Sequence, residues 1–269
     1  MNELTPKVVR TSHLAGWKAE GKKFSCLTSY DSLTAGIFDE AGIELILVGD
    51  SAADNHLGYK TTLPITIEEM ISFGRAVASS VKRAIVVVDL PFGSYEVSAQ
   101  EALGNAIRVM KETGATAVKL EGGVRSADTI KTITEAGIPV MAHIGFTPQS
   151  VHNLGGFKVQ GKGEDAQALM ADALAVEQAG AFAVVLELVP AELASEVTKR
   201  LSIPTVGIGA GNGTDAQILV WTDFAGLVSG KPRKFVRQYA QLRTTLLSAA
   251  SQYRDDVHSG SFPNRDEEF

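Results

Sequence analysis

Leu45-Ile46-Leu47-Val48-Gly49-Asp50-Ser51, Ile85-Val86-Val87-Val88-Asp89, Val118-Lys119-Leu120-Glu121, Val140-Met141-Ala142-His143 and Val184-Val185-Leu186-Glu187 share one plan, a short continuous apolar run that ends in polar or charged groups. Apolar residues that do not alternate with polar ones indicate strands buried on both faces, the habit of parallel sheets. Further runs of this kind stand at residues 24–28 and 205–208, and the best position for an eighth is 224–228. Between most of them lie segments of helical periodicity at 32–40, 67–81, 99–112, 127–135, 166–178 and 191–200, several closed by a glycine just beyond, at Gly42, Gly114, Gly137 and Gly180. Each parallel step needs a crossover, so strand-helix repetition predicts an α/β fold. An open doubly wound sheet would gather its ligand groups at a switch point, whereas five successive strand ends that all carry polar groups suit the single rim of a (β/α)8 TIM barrel.

Length and composition agree with one domain of this kind. The chain has 269 residues, 45% of them hydrophobic and 21% charged, enough to bury one large core. Residues 1–23 read as an N-terminal extension, 24–232 as the barrel, 233–255 as an extra C-terminal helix centred on about 235–253, and 256–269 as a polar tail. The net charge of −6 without a Lys/Arg block argues against nucleic acid. No stretch reaches the ~18 apolar residues of a membrane span, and the N-terminus has no uninterrupted apolar leader. Cys26 is the single cysteine and lies in an apolar run, so it reads as a small core residue in a reducing cytoplasm. Residues 50–64 and 145–164 are longer than ordinary loops and follow strand ends, which makes them candidate lids.

Taken alone, Asp50, Asp89 or Glu121 would be an N-cap or a surface carboxylate. Converging on one rim, the three would repel one another and hold protons tightly unless a cation balanced them. Oxygen-only donors point to a hard divalent ion, Mg²⁺ first, and one cysteine gives nothing toward a zinc site. Lys119 lies two residues before Glu121 and so faces the same way; a lysine inside a barrel calls for an anionic partner. His143 reads equally as a hydrogen-bonded core histidine or as a substrate contact. Glu187 interrupts an apolar run, a setting that desolvates a carboxylate and makes it a candidate base. Gly207-Ile208-Gly209-Ala210-Gly211 reads equally as a phosphate cradle or a tight turn.

The runs Leu47-Val48-Gly49-Asp50-Ser51, Asp89-Leu90-Pro91-Phe92-Gly93-Ser94-Tyr95, Val118-Lys119-Leu120-Glu121-Gly122-Gly123, His143-Ile144-Gly145-Phe146-Thr147-Pro148-Gln149 and Gly155-Gly156-Phe157-Lys158-Val159-Gln160-Gly161 resemble the signatures of the ketopantoate hydroxymethyltransferase family. The likeness runs from about Thr28 to Gly226. It implies transfer of a hydroxymethyl group from 5,10-methylenetetrahydrofolate to 3-methyl-2-oxobutanoate, giving 2-dehydropantoate in the first step of pantothenate synthesis. It also implies Mg²⁺, or Mn²⁺ or Co²⁺, served directly or through water by Asp50, Asp89 and Glu121. Asp50, Ser51, Asp89, Lys119 and His143 would meet the oxo acid, Glu187 would be the base, and the protein would be a homo-oligomer, a homodecamer. Ala53-Asp54 and Asp215-Ala216-Gln217 depart from the family pattern and leave the proposed metal and base positions intact. Two rivals remain: a related Mg²⁺-dependent oxo-acid lyase or phosphonomutase barrel, for which no cysteine-bearing lyase loop is present, and a non-catalytic ligand-binding barrel, against which the intact carboxylates speak.

Overall fold

The computed structural model describes residues 6–269. They form two compact units, one ending at Leu219 and one running Val220–Phe269. In the first, eight parallel strands close in sequence order into a barrel: β1 (Phe24–Thr28), β2 (Leu45–Val48), β3 (Ile85–Asp89), β4 (Ala117–Glu121), β5 (Val140–Gly145), β6 (Ala183–Glu187), β7 (Thr205–Ile208) and β8 (Ala216–Leu219), with β8 returning to β1. Helices α1 (Thr11–Ala19), α2 (Ser32–Glu40), α3 (Ala52–Asn55), α4 (Ile67–Ser80), α5 (Ala99–Thr113), α6 (Ala127–Glu135), α7 (Asp165–Gln178) and α8 (Ala191–Arg200) belong to this unit, while α9 (Trp221–Phe224) and α10 (Leu242–Ser259) belong to the second. The expected helix-closing glycines all take left-handed backbone.

Strand side chains alternate between two environments because the strand period is two. One set, Phe24, Cys26, Leu45, Leu47, Ile85, Val87, Ala117, Met141, Ala183, Val185, Val206, Ala216 and Ile218, packs as one cluster with Val9 and Leu14. The intervening set, among them Ile46, Val86, Val88, Val118, Leu120, Val140, Val184 and Leu186, is also buried. Burial of both sets is why the runs are continuously apolar. Leu14 of α1 is fully buried and Trp17 packs against the same cluster, so α1 supplies apolar side chains to one end of it.

Two expectations need correction. The eighth strand is Ala216–Leu219, not 224–228. It is four residues long with Gln217 exposed, so it lacks the apolar run that marks the others, whereas the apolar 224–228 segment holds the end of α9 and a turn. The C-terminal helix runs Leu242–Ser259 rather than 233–255. The chain before it is occupied otherwise, with Tyr239 N bonding Phe224 O and Leu242 N bonding Ala225 O, and Gly260 in left-handed backbone ends the helix. Its last turns therefore take up the start of the expected polar tail at 256–269. The N-terminal extension contains helix α1, and residues 1–5 of that extension lie outside the described residues. Among the described residues no helix is long and apolar enough to cross a membrane.

Candidate active site

The inward strand positions change character at their C-terminal ends. On β3, Ile85 and Val87 are followed two residues on by Asp89; on β4, Ala117 by Lys119 and Glu121; on β5, Met141 by His143; on β6, Ala183 and Val185 by Glu187. All five polar groups are buried. Pairing register makes Asp89 the lateral neighbour of Lys119, and Lys119 Nζ meets Asp89 Oδ1 at 2.5 Å. Asp89 Oδ2 accepts from Asp50 N at 3.0 Å, which draws the residue beyond β2 onto the same site. Glu121 is the register neighbour of His143, whose Nδ1 lies 3.4 Å from Glu121 Oε1 and whose Nε2 lies 3.4 Å from Glu187 Oε2. These are ion-pair distances without hydrogen-bond alignment, and both ring nitrogens and Glu121 Oε1 have no hydrogen-bond partner. Beside Glu187, a side chain at Gly145 would put its Cβ 2.4 Å from Glu187 O, so only glycine lets β5 end this close to β6.

Charge is crowded here. Burial, then the Asp89 and Glu121 carboxylates, push the Asp50 pKa up to about 8, against a smaller opposing pull from Lys119 and Gln149. Burial would lower the Lys119 ammonium, but Asp89, Asp50 and Glu121 outweigh it and hold its pKa above the ordinary lysine value. The same contest, with Glu121 and Glu187 winning over burial, raises His143 to about 9, so the imidazole is charged near neutrality and bridges the two carboxylates. Excess negative charge around Asp50 and Asp89, offered by oxygens alone, suits a hard divalent cation, and Mg²⁺ commonly takes only one or two protein carboxylates. Among the described residues no three His, Cys, Asp or Glu side chains are placed to hold a metal ion together. Glu121 is turned instead toward His143, and its Oε2 accepts from Gln149 N at 3.0 Å.

The sequence-selected residues Asp50, Asp89, Lys119, Glu121, His143 and Glu187 thus form one linked group. Ser51 stands beside it, its Oγ 2.7 Å from Tyr30 Oη. Gln149 and Tyr95 were present in the quoted motifs but without a role. Gln149 Nε2 donates to Asp50 Oδ2 at 3.0 Å, and Tyr95 Oη donates to Gln149 Oε1 at 2.5 Å. The available signal was Pro148, a proline that opens a short helical turn, Pro148–Ser150, directly after the β5 end. The Gly207–Gly211 segment is explained by packing, since a side chain at Gly211 would meet Ala191 Cβ at 2.6 Å. The long segment after β5 is tied down by Gln160 N to Leu188 O at 2.9 Å and by the Phe157 ring, 4.1 Å from that of Phe146.

Comparison with known proteins separates fold from family. Phosphonopyruvate hydrolase superposes with a TM-score of 0.62 at 15% identity, over 96% of this chain and 90% of that one. A 2,3-dimethylmalate lyase of the PEP mutase/isocitrate lyase superfamily gives 0.60 at 15%, over 97% and 92%. At that identity the likeness shows a shared barrel fold. Sequence similarity is of another order. The chain is 60% identical to the 3-methyl-2-oxobutanoate hydroxymethyltransferase of Leifsonia xyli subsp. xyli over 98% of this chain and 96% of that protein. It is also 60% identical to the enzyme of that name from Corynebacterium glutamicum over the full length of both. The family model described as ketopantoate hydroxymethyltransferase matches residues 8–265. This chain therefore belongs to the ketopantoate hydroxymethyltransferase family of transferase enzymes.

Proposed function

We propose that the protein transfers a hydroxymethyl group from 5,10-methylenetetrahydrofolate to C3 of 3-methyl-2-oxobutanoate, giving 2-dehydropantoate with Mg²⁺ as cofactor. The observation that carries this reading is the division of the rim into two acidic parts, Asp50 with Asp89 on one side and Glu187 on the other, joined through His143 and Glu121. Asp50 and Asp89 would hold the cation directly and Glu121 through water. When bound, the cation polarises the 2-oxo group and makes the C3 proton acidic.

Glu187, buried at the end of β6, accepts that proton, and the His143 ring, 3.4 Å from Glu187 Oε2, stands beside the carboxylate and limits where it can point. Lys119 presents the remaining N–H donors of its ammonium toward the oxo acid, offering fixed positive charge where negative charge develops on oxygen. The C3–H bond breaks, C3 bonds to the donor's methylene carbon as one of that carbon's two C–N bonds opens, and water then displaces the second folate nitrogen, the two freed nitrogens taking up the C3 proton and one proton of the water. Ser51 lines the oxo-acid side. The same reading makes the protein a cytoplasmic homo-oligomer, a decamer by family resemblance, at the first step of pantothenate synthesis. Proton NMR of 3-methyl-2-oxobutanoate in D₂O with enzyme and Mg²⁺ tests it: the C3 proton signal should disappear without the folate, and 2-dehydropantoate should appear once the folate is added. A C3 signal that persists as in the enzyme-free sample, with no product after folate is added, would overturn the reading.

A further inference from the structure

Gln149 is 5% exposed, and its polar atoms reach three neighbouring strand ends. Nε2 donates to Asp50 Oδ2 at 3.0 Å beyond β2 and to Leu90 O at 3.2 Å beyond β3, while the backbone N donates to Glu121 Oε2 at 3.0 Å at the end of β4. A primary amide has two donors at one end and an acceptor at the other. Turned over, it would set Oε1 against Asp50 Oδ2 and Leu90 O, acceptor against acceptor. Tyr95 decides the orientation. Its hydroxyl oxygen accepts from Glu121 N at 3.3 Å, so its proton is directed to Gln149 Oε1. The pair is buried, where an unpaired polar group is costly and a satisfied network is rigid.

Resting on the metal-dependent reading above, we propose that Gln149 is a positioning residue that fixes the Asp50 carboxylate for the cation, and that Tyr95 acts through it by fixing the amide. Gln149 stands on the Pro148–Ser150 turn at the head of the 145–164 segment, so the same hydrogen bonds tie that segment to the cation site. A Gln149→Met variant keeps length and volume and removes the donors.

Calorimetric titration of the metal-free protein with Mg²⁺ alone tests this, alongside thermal melting without metal and kcat and KM for the oxo acid. Gln149→Met should bind Mg²⁺ about 10–100-fold more weakly, the usual effect of losing a group that orients a ligand. Tyr95→Phe should weaken it less, and in the double variant the tyrosine change should add nothing further. A Gln149→Met protein that melts lower but binds Mg²⁺ like wild type would reduce the residue to a structural role and overturn the proposal. Additive loss in the double variant would remove Tyr95 from it. Gln149→Asn, which keeps the amide but retracts it by one methylene, serves if the Met variant does not fold, with the same expected weakening. Asp50→Asn separates the two readings. If it binds Mg²⁺ and turns over normally, the metal-dependent function is wrong; if it fails while Gln149→Met does not, only the positioning role is wrong.

Discussion

Two ends of the same barrel interior differ in everything but their strands. Toward the strand starts, inward positions such as Phe24, Leu45, Ile85, Ala117, Met141 and Ala183 are apolar and closed by Leu14 and Trp17 of α1. Two or four residues later the same inward rows carry Asp89, Lys119, Glu121, His143 and Glu187, all as buried as the floor yet charged. The floor gains from each side chain it removes from water, while the rim is held by pairings that only partly offset desolvation. Stability and chemistry are thereby separated by about two residues of strand, the division expected between the two faces of such barrels. Substitutions at one end should leave the other's property alone.

The largest effect belongs to the rim. Glu187→Gln keeps shape and volume, so oxo-acid affinity and melting temperature should stay near wild type. Turnover and C3 deuterium exchange should fall together by ~10²–10⁴-fold, the usual worth of a general base. Wild-type exchange in this variant would move the base elsewhere on the rim, with His143 the next to replace. At the floor the expectation inverts. Leu14 is fully buried against the strand cluster, so Leu14→Ala should cost about 2–5 kcal/mol in denaturant unfolding while Mg²⁺ affinity of the folded protein is unchanged. A loss of Mg²⁺ affinity there would mean that floor and rim are coupled.

The same contrast explains what could be read from the sequence. Strands buried on both faces leave continuous apolar runs, and a charge such as Asp89 or Glu187 that ends a run is conspicuous, so barrel and rim were legible together. β8 was misplaced because Ala216-Gln217-Ile218-Leu219 is short and half polar, whereas the apolar 224–228 segment folds as a helix end and turn. Helix α1 was missed because its only buried residue is Leu14, which leaves no repeating apolar face to read. Gln149 and Tyr95 were invisible as a pair, since a 2.5 Å contact across 54 residues depends on how two loops return to the rim, and local periodicity carries no record of that.

A smaller effect tests the cost of crowding charge at the rim. Asp50 has a pKa of about 8 in the fold against 3.8 as its ordinary value, so the folded protein keeps a proton that the unfolded chain has released. Stability then falls as pH rises from about 4 to about 8. Asp50→Asn removes that dependence and can still accept from Gln149. Metal-free Asp50→Asn should melt above wild type at pH 8 by an amount on the order of 1 kcal/mol, roughly 2–4 °C, and the gap should close toward pH 4. Mg²⁺ should raise the wild-type melting temperature and leave the variant's unchanged. A variant that melts lower at pH 8 would show that the Asp50 carboxylate stabilises the fold.

The smallest effect concerns Leu188, directly after Glu187 and, among the described residues, the only non-glycine with left-handed backbone, at φ 49°. Such a conformation costs a leucine about 1–2 kcal/mol, and it persists where neighbours over-determine it. Here Leu188 N donates to Ile208 O at 2.9 Å and its carbonyl accepts from Gln160 N at 2.9 Å. Leu188→Gly removes the strain but adds freedom to the unfolded chain, worth roughly 0.5–1 kcal/mol in the other direction. The net should be a gain of under about 1 kcal/mol in denaturant unfolding. Because both backbone hydrogen bonds survive, Glu187 should keep its aim, and kcat should hold within about twofold. A larger fall in kcat with KM unchanged would show that the strain itself directs the carboxylate, so that the rim gives up stability even in its backbone.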